Sequence, residues 1–350
     1  MAFTLGSFVL VTALVAFISW LKTRGTDETN KDGYFLGGRS LTGVVIFGSL
    51  MMTNLSAEQL VGRNGQGYAA GMTAMGWETM CPIALTLMAL FFIPKYFKLG
   101  ISTIPEFLES RFDRATRVIV SFIFLVAYIV TMLPLVLYAG SVAMERIFDV
   151  TGLLGGNRFL STAVMCVALG VIGGIYAIFG GLKAVAVSDT LNGLIFIIGA
   201  VVLIPVLAFI ALGDGSIAEG IRLFATSSPE HLNAIQPANA QPPCIPWPMI
   251  LLGCGINHIS YYCTNQAIMQ RVLGAKNLKE AQKGALLSGL ALVFCPVLFS
   301  SSATAAVLPI STWRTPRSSV TFCRRRCSAF SRRSCSALSC PRSIRCSTAR

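Results

Sequence analysis

The sequence predicts an all-α protein that crosses a membrane about eight times, and three observations predict it. Of 350 residues, 54% are hydrophobic and only 12% are charged, with a mean hydropathy of +0.69. Water-soluble domains carry about 25% charged residues, so this chain has roughly half the charge that an aqueous surface requires. The apolar residues fall in runs of about 20, the length an α-helix needs to cross ~30 Å of hydrocarbon. Lys and Arg concentrate in alternate connections between those runs, the pattern left when basic loops stay on the cytoplasmic side. A soluble cytosolic enzyme is excluded.

The runs are approximately Phe3–Leu21, Leu41–Leu60, Met72–Pro94, Val118–Ala139, Leu160–Phe179, Ala184–Leu212, Trp247–Met269 and Gly284–Val307. The first has no basic n-region and no small-residue cleavage site, so it reads as a spanning helix rather than a signal peptide. One set of alternate connections holds Lys22, Arg24, Lys31, Arg39, Lys95, Lys98, Arg111, Arg114, Arg117, Lys183, Arg271, Lys276, Lys279 and Lys283. The other holds Arg63, Arg146, Arg158 and Arg222. This asymmetry predicts a multi-pass protein of the plasma or inner membrane with its N-terminus outside.

A net charge of +13 suggests a nucleic-acid partner only until it is located. Residues 314–350 contain ten Arg and no acidic residue, so the rest of the chain is nearly balanced, with 18 basic and 15 acidic groups. No nucleic-acid partner is expected. Five of the eleven Cys fall in the same stretch. The other six form no CxxC pair and no metal-ligand spacing, so they read as small apolar packing residues.

Polar residues inside the spans carry the functional reading. The second run, GSLMMTNLSAEQLVGRNGQGY, places Asn54, Ser56, Glu58 and Gln59 in an apolar stretch bounded by Gly48 and Gly62. A charged group at mid-bilayer costs about 2.5–3.5 kcal/mol on insertion scales, so such residues face a wet cavity or a bundle interior. Asn, Ser and Gly also allow a turn to unwind and free backbone carbonyls, which suit a sodium ion. The plain alternative is hydrogen bonding between helices. The third run has one acid, Glu78, about a turn and a half in from Met72, suited to accept hydrogen bonds from the hydroxyls of a neutral solute. Trp77 beside it either stacks on a sugar face or anchors the membrane interface, the commoner role at that depth.

The seventh run, LLGCGINHISYYCTNQAIMQR, holds Gly253, Gly255, Asn257, His258, Tyr261, Tyr262, Asn265 and Gln266. Its Gly-plus-Asn interruption parallels the one at Asn54. Two interrupted helices five spans apart predict inverted repeats with a solute site between them at mid-membrane. The unwound segments around Asn54 and Asn257 are expected to face each other across a hydrated pocket. A membrane-embedded enzyme would need a nucleophile–base pair or metal cluster at depth; only His258 is available, with no acid in its own helix, so no catalytic residue is expected.

Five ordered blocks carry a family resemblance: GYFLGGRSL at Gly33–Leu41, NLSAEQLVG at Asn54–Gly62, GISTIPEFLESRF at Gly100–Phe112, IYAIFGGLKAV at Ile175–Val185 and NQAIMQRVL at Asn265–Leu273. Over about residues 1–295 the chain resembles the sodium/solute symporter family, and within it the sodium/sugar cotransporter branch. The resemblance implies the front part of a five-plus-five inverted-repeat fold with an extra N-terminal helix. It implies sodium-coupled symport of a small polar solute, above all a sugar, by alternating access, with sodium as the coupling ion and the only metal. Asn54, Gln59 and Glu78 fall on positions that contact solute hydroxyls, and Tyr261 falls on the aromatic that closes the inner side. His258 stands where sugar transporters carry Asn, with Asn257 one residue earlier. The carbonyls of Met52 and Leu55 fall on the first-helix part of the sodium site. Asp189 matches an acidic position on the sodium exit route; from the residues alone it is equally a helix N-cap at a membrane surface.

Two departures qualify the resemblance. Leu292 stands where the sugar transporters have a solute-contacting Lys, which leaves a polyol, carboxylate or amino acid open as alternative solutes. After about Phe299 the family continues in apolar helices that include a Ser-Ser pair completing the sodium site, whereas this chain gives RRRCSAFSRRSCSALSCPRSIRCSTAR. That composition, without Asp, Glu, Gly or Lys, reads as a GC-rich gene out of frame, with the shift near residues 294–300. Binding of the basic tail to anionic lipid is the alternative, but the parity of crossings puts the tail on the outer side. Residues 1–299 are thus expected to form a partial transporter domain and 300–350 a disordered tail. The chain as written is expected to be inactive by itself, with a non-transporting membrane remnant or sensor as the rival reading.

Overall fold

The computed structural model describes residues 2–294 apart from 26–29, 56, 149, 154–155, 228–231 and 240–244. Among the described residues every regular element is helical, and the strand-like contacts are two isolated bridges, Leu41 with Ala275 and Gln236 with Pro246. Among the described residues five helices are long and apolar enough to cross a membrane: Gly6–Thr23, Gly71–Leu99, Arg114–Glu145, Arg158–Ile175 and Gly180–Leu212. They correspond to the first, third, fourth, fifth and sixth predicted runs. Their outer faces expose Val118, Phe122, Val130 and Val167 by 60% or more. In water so continuous an apolar surface would drive aggregation; in a bilayer it is the face that meets lipid.

Three of these helices widen into a π-helical turn, each for the same reason. The turns Met88–Phe92, Tyr128–Met132 and Ile197–Leu203 lie just before Pro94, Pro134 and Pro205. Proline has no N–H and its ring crowds the carbonyl four residues back, and the wider turn relieves that clash without breaking the span. The carbonyl of Ala89, in the first of these turns, accepts a hydrogen bond from Gln282 Nε2 at 2.9 Å. The fifth and sixth spans meet at a kink at Gly181, in the Gly-Gly-Leu block, whose φ of 55° and ψ of −174° are non-helical. The Tyr34 hydroxyl donates to the Ile178 carbonyl just before that kink, at 3.0 Å.

The second predicted run is two helices, Gly43–Asn54 and Ala57–Ala70, separated at Leu55 (φ −90°, ψ 79°). Position 56 lies outside the described residues. The seventh run corrects the prediction. The π turn Met249–Cys254 passes directly into the helix Gly255–Thr264, and Gly255 takes helical dihedrals (φ −58°, ψ −54°). The chain is therefore helical through Asn257, and the interruption falls at Asn265 (φ −74°, ψ 125°), ahead of the helix Gln266–Leu273. The cause is local: the Asn265 side chain accepts from the Ala267 N–H at 2.8 Å, an N-cap that competes with continuing the preceding helix. The eighth run begins at residue 278 and is helical to 294; its remainder, the expected frame change and the 300–350 tail lie outside the described residues.

The core sits where the half-helices meet. Leu50 and Met51 of Gly43–Asn54, Leu85 and Met88 of the third span, Ile268 and Met269 of Gln266–Leu273, and Leu292 are almost wholly buried together. Gly48 lets Gly43–Asn54 lie directly on the sixth span, since a Cβ there would come within 2.6 Å of Thr190 Cα. The Glu280 carboxylate accepts from the Gly43 N–H, placing an anion at the positive end of that helix. The Leu41 N–H donates to the Gly274 carbonyl at 3.1 Å and the Lys276 N–H to the Leu41 carbonyl at 2.9 Å. These bonds tie the start of one half-helix to the end of the other.

Candidate functional site

A cavity of about 580 Å³ opens between the broken second run, the start of the third, the fourth span and the seventh. That is the size of a small-molecule pocket. Asn54, Gln59, Glu78, His258 and Tyr261, the five residues predicted to meet solute, all line it, with Thr53, Trp77, Tyr128, Thr131, Asn257 and Asn265. No Lys or Arg is among the described residues of the wall.

Each polar group is set by its element. Asn54 closes the helix Gly43–Asn54, is 7% exposed, and its Nδ2 has no hydrogen-bond partner among the described residues. A buried donor left unmade costs about 1–3 kcal/mol, so this amide is available to a ligand oxygen. Glu78 is buried and accepts the thiol of Cys81, one turn on, at 2.6 Å. His258 is buried, with Nδ1 2.6 Å from the Cys254 carbonyl. A carbonyl only accepts, so Nδ1 donates, and in the neutral ring the lone pair is then on Nε2. Trp77 lines the cavity, its ring 6.0 Å from the His258 ring and at 67° to it. The 3₁₀ turn Gly71–Trp77 brings it there, because Gly76 closes on Ile250: a Cβ at Gly76 would lie 2.9 Å from Ile250 Cδ1.

The break at Asn265 is held by groups the sequence reading missed. Its Oδ1 accepts from the Tyr128 hydroxyl at 2.9 Å as well as from Ala267. The Cys263 carbonyl, just before the break, accepts from the Tyr96 hydroxyl at 3.1 Å. Gln266 Oε1 accepts from the Ile104 N–H at 2.8 Å, tying the break to the helix Ile104–Arg111 that follows the third span. For Tyr128, a tyrosine inside an apolar run, the sequence held a signal; Tyr96 lies among the basic residues of a connection and gave none.

A second polar group lies on the same half-helices. The N-cap alternative for Asp189 is corrected: it sits inside a helix, eight residues past the Gly181 kink. The Ser49 hydroxyl donates to Asp189 Oδ2 at 2.8 Å, and Arg271 Nε donates to Ser49 Oγ at 2.9 Å. An Arg271 amino nitrogen stands 3.7 Å from Asp189 Oδ2, the two side chains being 16% and 22% exposed. Arg271, counted in the sequence among loop charges, is thus a partly buried partner. Met52 lies in the last turn of Gly43–Asn54, packed against Gly193, and Leu55 lies in the break itself. The stretch after about Phe299, where the family carries the Ser-Ser pair of the sodium site, lies outside the described residues.

The sequence matches the profile of the Sodium:solute symporter family over residues 34–315. The chain belongs to that family. It is 45% identical over 294 residues to the uncharacterized symporter YidK of Escherichia coli K12, covering 83% of this chain and 50% of that protein. It is 32% identical over 278 residues to the sodium/glucose cotransporter of Vibrio parahaemolyticus, covering 79% and 49%. It is 32% identical over 304 residues to the human sodium/myo-inositol cotransporter, covering 81% and 40%. The chain thus spans about half the length, or less, of these curated relatives. A solved structure of a Na+-coupled sialic acid symporter, substrate-bound and outward-open, shares the fold with a TM-score of 0.73 at 21% identity, over 87% of this chain and 60% of that one.

This is a transporter family and not an enzyme family. That assignment matters, because the structure removes the sequence argument against catalysis: His258 does have Glu78 and Cys81 close by, from another helix.

Proposed function

We propose that the protein serves sodium-coupled symport of a small uncharged polyhydroxylated solute, a sugar or polyol, by alternating access. The observation that supports this reading most is the cavity wall. Asn54, Gln59, Glu78 and His258 offer donors and acceptors, Trp77 offers an apolar face, and no basic side chain among the described residues faces a carboxylate solute. An anionic solute buried there would lack a partner, at a high desolvation cost. The glucose and myo-inositol named for two relatives are solutes of the matching kind.

In this reading Asn54 and Glu78 hold solute hydroxyls, Gln59 and His258 complete the polar wall, and Tyr261 closes the inner side. The backbone carbonyls of Met52, in the last turn of Gly43–Asn54, and of Leu55, in the break, are oxygen ligands of the kind sodium takes. Asp189, bonded to Ser49 on that half-helix, stands on the ion's exit route. One charge crossing 100 mV is worth about 2.3 kcal/mol, and a tenfold sodium gradient adds about 1.4 kcal/mol. Together these concentrate a neutral solute several-hundred-fold per ion. The protein sits in the plasma or inner membrane with its N-terminus outside, the side its sparsely charged connections face.

Binding is the first experiment, because the five residues proposed to meet solute all lie within the described part of the chain. Purified protein in lipid nanodiscs is expected to retain labelled glucose or myo-inositol more tightly in sodium than in potassium, and unlabelled lactate or glutamate is expected not to compete. Competition by the carboxylates, or no saturable retention of either neutral solute, would overturn the reading.

A further inference from the structure

Three buried side chains in and behind the cavity wall form a ligand set that solute recognition does not use as a set. Glu78 and Cys81 lie one turn apart where the third span begins, and His258 comes from the seventh span. One donor atom from each lies within 4.8 Å of the other two, and the three residues are 4%, 0% and 3% exposed. We propose that Glu78, Cys81 and His258 bind a divalent transition metal, zinc by the chemistry of the donors, with the fourth coordination position open to the cavity.

The donor set distinguishes this site from the sodium site. Sodium takes hard oxygen ligands, whereas a thiolate with an imidazole and a carboxylate suits zinc. Zinc bond lengths of about 2.0–2.3 Å in a tetrahedron put donor atoms roughly 3.5 Å apart. The Cys81 sulfur and Glu78 oxygen are now 2.6 Å apart, held by the thiol proton, and the set as a whole lies within 4.8 Å. Shifts of about 1 Å therefore suffice. On binding, the metal replaces the Cys81 proton, which passes to water.

His258 is already arranged as a ligand. Its Nδ1–H donates to the Cys254 carbonyl at 2.6 Å, the outer-shell bond that fixes the tautomer and leaves Nε2 free to coordinate. Trp77 and Tyr262 flank the ring, with centroids at 6.0 Å and 6.2 Å. A metal here cross-links the third and seventh spans and occupies both Glu78 and His258, so it excludes solute. That exclusion rests on the function proposed above; the metal site does not.

Cobalt(II) added to the detergent-purified full chain tests the site. Because the chain has eleven Cys, the readout is the difference in thiolate-to-cobalt charge-transfer absorption between wild type and Cys81→Ser. One equivalent of the band is expected to vanish in Cys81→Ser, to persist in Cys263→Ser, and to be displaced by zinc. His258→Gln, which keeps the thiol, is expected to weaken cobalt binding by more than the 10–100-fold that loss of an outer-shell partner costs. Equal bands in wild type and Cys81→Ser, or unchanged affinity in His258→Gln, would overturn the proposal. A cobalt band with no sugar or polyol binding would sink the solute reading alone; solute binding that zinc leaves untouched, with equal bands, would sink the metal site alone.

Discussion

Asn54 occupies a position where stability and function pull in opposite directions. Its buried Nδ2 has no partner among the described residues, so the solute-free protein carries the cost of an unmade hydrogen bond. Asn54→Ala is expected to leave the thermal midpoint of the solute-free protein unchanged or higher, while weakening solute binding by about 5- to 150-fold, the equivalent of 1–3 kcal/mol. A lower midpoint in differential scanning fluorimetry would make Asn54 a structural residue. Asp113 gives the pH dependence at this scale. The Thr116 hydroxyl and N–H hold the Asp113 carboxyl below its ordinary 3.8, where it caps the helix Arg114–Ala127. A depressed carboxyl stabilises above its unfolded value and loses that contribution as pH falls through the folded one. The midpoint difference between wild type and Asp113→Ala should therefore be constant above about pH 5 and shrink below ~3.8. A difference that grows in acid contradicts this.

The helix breaks show what was legible in the sequence and what was not. The first was legible because polar Asn54 and Gln59 have no place in an unbroken lipid-facing helix. The second was misplaced because Gly255 and Asn257 look like breakers, yet glycine can take helical dihedrals, as Gly255 does here. The real break combines the local cap of Asn265 on the Ala267 N–H with a bond from the Tyr128 hydroxyl, on a span more than a hundred residues earlier, and that second bond leaves no local pattern. Pro94, Pro134 and Pro205, by contrast, mark helix distortions directly. Asn265→Ala should cost about 0.5–2 kcal/mol of stability through loss of the cap, and Asn265→Asp should recover most of it. Tyr128→Phe should couple to Asn265→Ala in a double-mutant cycle. Independent effects of the two would show that the Tyr128 bond does not hold the break. Gly48→Val, which forces a side chain onto Thr190, should separate the half-helix from the sixth span and lower the midpoint by several degrees.

Across the whole molecule, Asp189, Ser49 and Arg271 join the sixth span to the two half-helices that flank the breaks. Removing one partner strands a partly buried charge, so Asp189→Asn and Arg271→Gln should each cost about 1–3 kcal/mol, and the double variant less than the sum. Additive losses in chemical denaturation would mean the charges act separately. The fold class followed from composition and periodicity, and the grouping of the five cavity-lining residues from the sequence blocks and the family resemblance. The juxtaposition of Glu78, Cys81 and His258 did not, because residues brought together from two helices leave no spacing motif. Whether the cavity between the breaks receives solute is measured by titrating glucose or myo-inositol while following the fluorescence of Trp77 in its wall. A saturable change is predicted in wild type, absent in Trp77→Phe and shifted to at least about fivefold higher concentration in Asn54→Ala. Saturable binding that leaves Trp77 emission unchanged, or equal affinity in wild type and Asn54→Ala, would place the solute elsewhere.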